Sequence, residues 1–449
     1  MKKCSKSLLF FLLILGCGGS QGDENIINTP EEIQETSETT KIDNTEESVV
    51  EEVKDETFYQ EGDCYEWIGS ANHVGCIKGS SVVSMNKFDI RPNNLIHDRG
   101  NLYILLGDGK IYKYDGYTYQ EFLNIEEKVS FNPNEEAGLF GLVFHPTEKY
   151  MLVSYSNKEN ILTVEKYTLD NFSNVSLLES EILLSIPNSN CCHWAGDMIW
   201  SDYFNDFLIG VGDMEENDFS FINHEPLDTT SRRGKILFLN SKNNFSNPPL
   251  ISETNLYPPR EDILGYGLRN PWKLYEYKNL LIFPDIGYAS SEELNIVNLD
   301  KFSTTKEPFL FGWPLFEGSI KNDLNVTEVF YWENNISKSV FDYVYENSVE
   351  PKVHYDHQTE EIYRAALIGG DLMLDPKSEY YENYFFVDYL TKEMFAYDLL
   401  ENTIRTIPLP AELPGNFHSL LINPFEKDSV LLANSSGYLM KVSLPKLNG

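Results

Sequence analysis

The chain of 449 residues holds 70 acidic and 35 basic side chains and has a formal net charge of −35. A chain this acidic lacks the basic face that phosphate contacts require, which argues against a nucleic-acid partner. The length is compatible with two or three domains or with a single large β domain.

The first element is a short apolar segment at the N-terminus. Three lysines within the first six residues precede an apolar run from Leu8 to Leu15, followed by Gly16 and Cys17. The run is shorter than the roughly 20 residues that cross a bilayer as a helix, and it fits a signal peptide. Its end resembles a bacterial lipobox, which implies that residues 1–16 are removed and Cys17 is lipidated. Ordinary cleavage near Gly18 or Gly19 is the alternative.

A polar segment then extends to about residue 60. Residues 18–60 carry 13 acidic and 2 basic side chains, a net charge of 2 − 13 = −11, with no aromatic residue before Phe58. Such a segment cannot bury enough apolar surface to offset the entropy of ordering. We therefore expect residues 17–60 to be a disordered acidic tether, and the mature protein to lie on a membrane through its lipid.

From residue 61 to 449 the sequence repeats one pattern: a short apolar strand, a polar turn and a second strand. Six copies begin at Asn101, Tyr150, Asp206, Asn279, Asn383 and Asp428. Each small sheet of a β-propeller buries its faces only against neighbouring blades, which produces repeats of this kind. The pattern predicts an all-β fold, a propeller of about six blades, with a β-sandwich or two barrels as the alternative.

Six segments of this region stand out as motifs: EEAGLFGLVFHP from Glu135, CCHWAGDMIW from Cys191, RGKILFLN from Arg233, GYGLRNPWKL from Gly265, PDIGYASSEELNIV from Pro284 and FGWPLFEG from Phe311. Together they resemble motifs of the soluble pyrroloquinoline quinone (PQQ) dependent glucose/sorbosone dehydrogenases. They occur in the family's order between residues 95 and 445. The resemblance implies a six-bladed propeller with PQQ and calcium at one mouth, oxidising a sugar or polyol and passing electrons to an acceptor in the cell envelope.

The same resemblance assigns roles to individual residues. His193 falls at the position of the catalytic base, and a neutral imidazole suits that role near neutral pH. Arg269 supplies a cation beside the cofactor, where it can stabilise developing negative charge. Asn270 is its polar partner, and Glu136 falls at a further cofactor-binding position. Without the motifs, His193 would be read as a loop histidine and Arg269 as part of a structural ion pair.

The resemblance also implies a calcium site in the loop after Asp285. Calcium prefers oxygen ligands, including backbone carbonyls, and these fall on Gly287 and Tyr288. Glu292 and Glu293 are expected to ligate the ion or to anchor the loop, or else to form a solvated charge pair.

Six cysteines are present, and Cys64 and Cys76 are expected to form a disulfide, since thiols of an oxidising compartment pair. The adjacent Cys191 and Cys192 match a Cys-Cys-His run in a branch of the family, and a bond between them is left open.

Some departures from the family pattern bear on activity. Ile286 and Tyr288 replace residues that approach the cofactor in many members, and Cys192 replaces an Asp that precedes the histidine in some. Arg364 is the nearest further cation in the C-terminal third, but no motif supports it. Two alternative functions are therefore kept: a non-catalytic propeller that binds carbohydrate or protein, and a calcium-dependent hydrolase or lactonase.

Overall fold

The computed structural model describes residues 57–58, 62–170, 175–188, 192–214, 225–239, 262–288, 290–319, 338–358 and 362–447. These residues belong to one compact unit, Val53–Gly449. Six sheets of four or five strands are arranged as the blades of a propeller. The propeller of about six blades predicted from the repeats, and six-bladed according to the resemblance, is therefore confirmed.

The first three blades follow the chain in order. Blade 1 contains β4 (Pro92–Asp98), β5 (Asn101–Leu106), β6 (Lys110–Tyr114) and β7 (Tyr119–Asn124). Blade 2 contains β8 (Leu139–Phe144), β9 (Tyr150–Ser156), β10 (Ile161–Leu169) and β11 (Val175–Pro187). Blade 3 contains β12 (Ala195–Ser201), β13 (Asp206–Val211), β14 (Lys235–Phe238), β15 (Ile263–Tyr266) and, parallel to β15, β19 (Phe309–Leu310).

The remaining blades include strands from distant parts of the chain. Blade 4 contains β16 (Tyr275–Tyr277), β17 (Leu280–Asp285), β18 (Ser291–Asn298) and β20 (Val353–Asp356). Blade 5 contains β21 (Leu367–Leu372), β22 (Asn383–Asp388), β23 (Glu393–Asp398), β24 (Thr403–Pro408) and, parallel to β24, β2 (Asn72–Cys76). Blade 6 contains β25 (Phe417–Ile422), β26 (Ser429–Asn434), β27 (Tyr438–Ser443), β3 (Ser81–Lys87) and β1 (Thr57–Phe58).

The ring closes in blade 6, where strands from the two ends of the domain share one sheet. β3 pairs antiparallel with β27, from Ser81 opposite Ser443 to Tyr438 opposite Lys87. Closure of this kind ties the two ends of the domain together within one blade, and the propeller retains only short, protected sheet edges. A disulfide joins Cys64 and Cys76, which precede β3 in the sequence.

Apolar side chains between the blades form the core. The alternating pattern of each strand places large residues on both faces, and fully buried rings such as Phe140 and Trp194 pack with centroids 5.9 Å apart. Burying one such side chain contributes on the order of 1.5 to 3 kcal/mol. Since blade faces are buried only by neighbouring blades, the ring is held together by these contacts.

Two features differ from the sequence-based expectation. β1 lies at Thr57–Phe58 and pairs with β3, so ordered structure begins before the expected boundary at residue 61. Within the described part of the chain, two helices, α1 (Leu299–Thr305) and α2 (Lys338–Asn347), lie between strands of blade 4. No helix among the described residues is long and apolar enough to cross a membrane. The predicted signal peptide at residues 1–16 and the lipidation site Cys17 lie outside the described residues.

The first strands of the blades line the axis. β4, β8, β12, β16, β21 and β25 contact one another around the ring, either directly or through β17. All six run from one mouth of the channel to the other. Residues that precede these strands therefore lie at one mouth, and residues that follow them lie at the opposite mouth.

Candidate functional site

The predicted site residues gather at the mouth where the inner strands begin. Glu136 precedes β8, His193 precedes β12, and Arg269 and Asn270 precede β16. The structure therefore brings together four residues that the sequence spreads over 134 positions (270 − 136) and three blades.

His193 is fixed by a carboxylate that the sequence analysis left without a role. Its Nδ1 lies 2.6 Å from Oδ1 of Asp213, which follows β13. The other oxygen, Oδ2, accepts a hydrogen bond of 2.8 Å from Nε1 of Trp313. Both residues of the histidine–carboxylate pair are buried. This pairing sets the tautomer of His193 and fixes the plane of its ring.

The second ring nitrogen of His193 meets Arg269. Nη2 of Arg269 lies 2.8 Å from Nε2 of His193. A guanidinium can only donate hydrogen bonds, so Nε2 accepts and presents its lone pair, and the ring proton lies on Nδ1 toward Asp213. His193 is thus arranged as a base with an oriented lone pair, and an arginine N–H occupies that lone pair.

The backbone around His193 adopts a conformation that non-glycine residues seldom take. His193 and Ala195 have φ values of 53° and 49°. Such residues persist where their surroundings over-determine them, often at functional sites. Here Glu136 Oε2 accepts the His193 N–H at 2.6 Å, and Asn270 Oδ1 accepts the Ala195 N–H at 3.1 Å. At Gly212 any side chain would collide, since a Cβ would lie 1.9 Å from the His193 carbonyl oxygen.

Two of these contacts come from residues that were expected to bind the cofactor. Glu136 and Asn270 support the His193 loop, and their contact with a cofactor stays a prediction. The Asn270 side chain is buried, whereas Glu136 remains exposed.

Arg269 is held by the loop that was expected to bind calcium. Its Nη1 donates to the carbonyl oxygens of Ile286 and Gly287 at 2.9 and 2.7 Å. Its backbone N–H, like that of Asn270, donates to the Asp285 carboxylate. Burial raises the pKa of Asp285 to about 7, against the lowering effect of these amides and of the Arg269 charge.

The two glutamates predicted to bind calcium have hydrogen-bond partners within the protein. Glu292 accepts hydrogen bonds from His357 Nε2 and from three backbone amides, and so ties blade 4 to blade 5. Glu293 accepts from the Gly318 amide, and burial, followed by the charge of Asp285, raises its pKa well above the usual range. The Tyr288 N–H donates to Glu317.

The residues present therefore do not fit a calcium ion in this arrangement. Calcium needs several oxygen ligands around one point, and a guanidinium N–H already takes the two convergent carbonyls. Among the described residues no group of three or more His, Cys, Asp or Glu side chains could hold a metal. Calcium stays a prediction from the resemblance.

Two further residues at this mouth were not identified from the sequence. Arg91 precedes β4, and its guanidinium donates to Asn93 Oδ1 and to the carbonyls of Pro133 and Glu135. No carboxylate of the described residues lies within ion-pair distance of Arg91, so its positive charge is not neutralised by contact. No sequence motif marks Arg91, and only its position before an inner strand could have indicated it.

His418, on β25, is the second such residue. Burial, followed by the positive charge of Arg91, lowers the pKa of His418 to about 3, so the ring is neutral at working pH. Its Nε2 is buried and has no hydrogen-bond partner within the described part of the chain. Its ring packs edge-on against Tyr389, with centroids 5.6 Å apart. A buried polar atom without a partner is costly and calls for a ligand or water.

Arg91, Arg269 and His418 all lie before or at the start of inner strands, and their chemistry suits an anionic ligand. Two guanidinium groups supply positive charge and rigid donors suited to carboxylates, and the His418 nitrogen offers a further polar contact. Aromatic rings lie beside them: Trp313 and Tyr288 within 6 Å of the Arg269 guanidinium carbon, and Tyr389 beside His418.

Other residues considered from the sequence have structural contacts. Arg364 is fully buried and paired with Glu393 through Nε at 2.8 Å, so it is not a free cofactor cation. His145 lies at the opposite end of its strand, where its ring accepts backbone N–H groups. Cys191 lies outside the described residues, so the bond to Cys192 stays a prediction.

Solved structures share this fold at low sequence identity. No protein-family model and no curated protein matches the chain. The PQQ-bound aldose sugar dehydrogenase of Streptomyces coelicolor superposes with a TM-score of 0.55 at 15% identity, covering 81% of this chain and 98% of that one. The apo form of the soluble aldose sugar dehydrogenase of Escherichia coli gives 0.60 at 17%, covering 82% and 100%.

A third similar structure is the oxidoreductase (glucose dehydrogenase) of Thermus thermophilus, with a TM-score of 0.54 at 15% identity, covering 81% of this chain and 100% of that one. At these identities the comparison speaks to architecture. The chain shares the six-bladed propeller fold of sugar dehydrogenases.

Proposed function

We propose that this protein is a dehydrogenase that oxidises a hydroxyl group of a sugar or polyol with PQQ bound at the mouth where the inner strands begin. The observation that carries the proposal is the buried Asp213–His193–Arg269 arrangement, which presents an oriented imidazole lone pair beside a fixed cation. The fold shared with sugar dehydrogenases is consistent with it.

Each residue has its own role in the proposed reaction. Nε2 of His193 takes the proton of the substrate hydroxyl as hydride leaves the carbon that bears this hydroxyl. Asp213 accepts from Nδ1 and stabilises the imidazolium that forms. Bound PQQ would supply the two-electron acceptor. Arg269 stabilises negative charge that develops beside it, because its guanidinium is fixed before the reaction.

One step must precede proton transfer. In the structure the Arg269 Nη2 N–H occupies the lone pair of His193, so the base is available only when that N–H turns to another acceptor. An anionic ligand in contact with Arg269 offers such an acceptor. We infer that the base is released when this mouth is filled. Arg269, Arg91 and His418 are the residues that would hold the cofactor.

We also propose that the protein acts at the cell envelope, anchored to a membrane through lipid on Cys17 and passing electrons to an envelope acceptor. The support is the lysine-rich start, the short apolar run and the Gly16-Cys17 pair. The acidic segment that follows would then hold the propeller away from the membrane surface.

The decisive experiment measures dye reduction by the purified full-length protein across a panel of sugars and polyols, with PQQ added and with calcium either added or chelated. We expect substrate-dependent reduction that requires PQQ and that His193→Ala removes. Dye reduction that depends on calcium would support the calcium site predicted from the resemblance, although the arrangement described here does not fit the ion.

Saturable sugar binding without dye reduction under any condition would contradict the proposal and favour the non-catalytic propeller. A lactonase is less compatible with the structure, because the described residues hold no carboxylate cluster able to bind a metal.

A further inference from the structure

A cavity opens at the mouth of the channel opposite to the His193 site. It has a volume of about 710 Å³ and is lined by the later residues of the inner strands, including Ile96, Ile199, Leu372 and Ile422. His193 and Arg269 do not line it. Sites for small molecules in proteins have volumes of about 300 to 1,000 Å³, so this cavity is large enough for one.

A network of buried hydrogen bonds lies deep in this cavity. The ammonium of Lys273 donates to Asn94 Oδ1 at 2.8 Å, to the Leu95 carbonyl at 2.9 Å and to Ser419 Oγ at 3.2 Å. Asn94 in turn donates to Asp197 Oδ1 at 2.8 Å. A lysine has three donors, and all three are used here. Lys273 therefore has no donor left for an anionic ligand.

The carboxylate of Asp371 lines the cavity, where the charge of Lys273 acts on it without forming an ion pair. It accepts N–H groups from Leu372 at 2.8 Å and from Ile422 at 3.1 Å, and the phenol of Tyr275 also donates to it. No lysine, arginine or histidine of the described ranges makes an ion pair with Asp371. A carboxylate offers about four lone-pair positions, so Asp371 can accept one more donor, from the cavity.

The other carboxylates near the rim have basic partners. Asp98 lies 3.1 Å from Arg99 Nη1, Glu426 lies 2.7 Å from Lys441 Nζ, and Asp375 lies 3.8 Å from Lys427 Nζ. Asp197 also lines the cavity without an ion pair among the described residues, but it is buried and accepts from Asn94 and from the Leu274 amide. Asp371 is less buried and is therefore the acceptor that a ligand in this cavity would meet, within walls of branched aliphatic side chains.

We propose that this cavity is a binding site for a small organic ammonium ion, whose charged nitrogen pairs with Asp371 and whose apolar body packs between the inner strands. Tyr275 and Trp200 also line the cavity, and aromatic faces attract such cations. An anion is disfavoured because it would meet Asp371 while finding no free donor on Lys273. This site is separate from the proposed catalytic mouth.

The experiment uses the full-length protein and titration calorimetry with three matched probes: phenethylammonium, neutral 2-phenylethanol and anionic 3-phenylpropionate. We expect one site for the ammonium probe and weaker binding of the other two by about tenfold or more, the value of a charge-assisted hydrogen bond. Equal binding of all three probes, or no binding of the ammonium probe at millimolar concentration, would overturn the proposal.

Two variants locate the site. Asp371→Asn should weaken binding of the ammonium probe by about tenfold or more. Asp375 is a carboxylate of the same rim that is paired with Lys427, and Asp375→Asn should leave the affinity for this probe unchanged. If Asp371→Asn does not fold, Ile96→Trp tests the same cavity by filling it and should abolish binding with Asp371 intact. Full affinity in Ile96→Trp, or in a folded Asp371→Asn, would show that the cavity is not the site.

Discussion

Nε2 of His193 lies 2.8 Å from Nη2 of Arg269, although the two residues are 76 positions apart in the chain. The contact joins blade 3 to the start of blade 4 and is buried at the mouth of the channel. Since an arginine cannot accept a hydrogen bond, the contact also fixes which ring nitrogen is basic. The two residues to which the resemblance assigns the base and a cofactor-binding cation are thus joined by a direct hydrogen bond.

Replacing His193 should remove proton abstraction and leave binding in place. We expect His193→Ala to lower kcat for the proposed dehydrogenase by roughly 10² to 10⁴, the usual contribution of a general base. Because His193 has a φ of 53°, His193→Asn is the matched variant, since Asn tolerates the left-handed region better than Ala. Similar losses in both, with Tm little changed, would assign the effect to the imidazole. Unchanged turnover in either would exclude His193 as the base.

Asp213 should act through His193. In Asp213→Asn the side chain can donate to Nδ1, which moves the ring proton to Nε2 and removes the lone pair that faces the mouth. We expect kcat to fall by about 10² or more, with KM for the sugar little changed. The ring proton can be followed by ¹⁵N NMR of labelled histidine. A variant with the same tautomer and a lower kcat would contradict this role.

The sequence predicts the propeller better than it predicts the site. Six strand repeats indicate the blades, but the pairing of β3 with β27 depends on closure of the whole ring. Asp213 directly follows β13, yet its contact with His193 depends on the loop geometry. Glu292 resembles a metal ligand in sequence. Its four hydrogen bonds across blades 4 and 5 exist only once both are assembled.

Residues such as Arg91 and His418 are harder to predict. Neither lies in a motif, and each is placed at the mouth by the direction of the strand that follows or contains it. Only the tertiary structure shows that Arg91 has no carboxylate partner among the described residues. It also shows that Nε2 of His418 is buried without a hydrogen-bond partner in the same part of the chain. These properties depend on which residues of the other blades lie near Arg91 and His418, and no local sequence pattern indicates this.

Arg91 should contribute to holding the anionic cofactor. We expect Arg91→Ala to weaken PQQ binding, followed by quenching of intrinsic fluorescence, by about tenfold or more, because a charge-assisted hydrogen bond to a carboxylate is lost. Arg99 is a matched control: it lies at the other end of β4, beside Asp98 and the His145 carbonyl. Arg99→Ala should leave PQQ affinity unchanged. Equal effects of the two changes would point to general electrostatics and not to a contact at the mouth.

The lipid anchor predicted at Cys17 can be tested apart from activity. We expect Cys17→Ala to abolish labelling with radioactive palmitate and to release the protein from the membrane fraction or leave it unprocessed. Cys4→Ala, within the same N-terminal segment, should change neither. Persistent lipid labelling of the Cys17 variant would exclude this residue as the anchor.

The stability of the propeller should fall as pH rises through the acidic range, partly because of Asp388. This carboxyl is fully buried in blade 5 and accepts from the Tyr355 phenol. Burial raises its pKa to about 7, and the nearby charges of Glu292 and Glu393 add to the effect, against the lowering influence of backbone and phenol hydrogen bonds. The unfolded chain releases this proton near pH 4.

Between about pH 4 and pH 7 the folded state therefore binds one proton that the unfolded state does not, so the free energy of unfolding decreases with rising pH. Asp388→Asn removes this contribution. We expect the stability of the native protein relative to the variant to fall by about 1 kcal/mol per pH unit across this window and to level off above it. Urea unfolding at several pH values measures the difference, in which Asp285 cancels because both proteins retain it. Parallel curves for the two proteins would show that Asp388 is ionised in the folded state throughout.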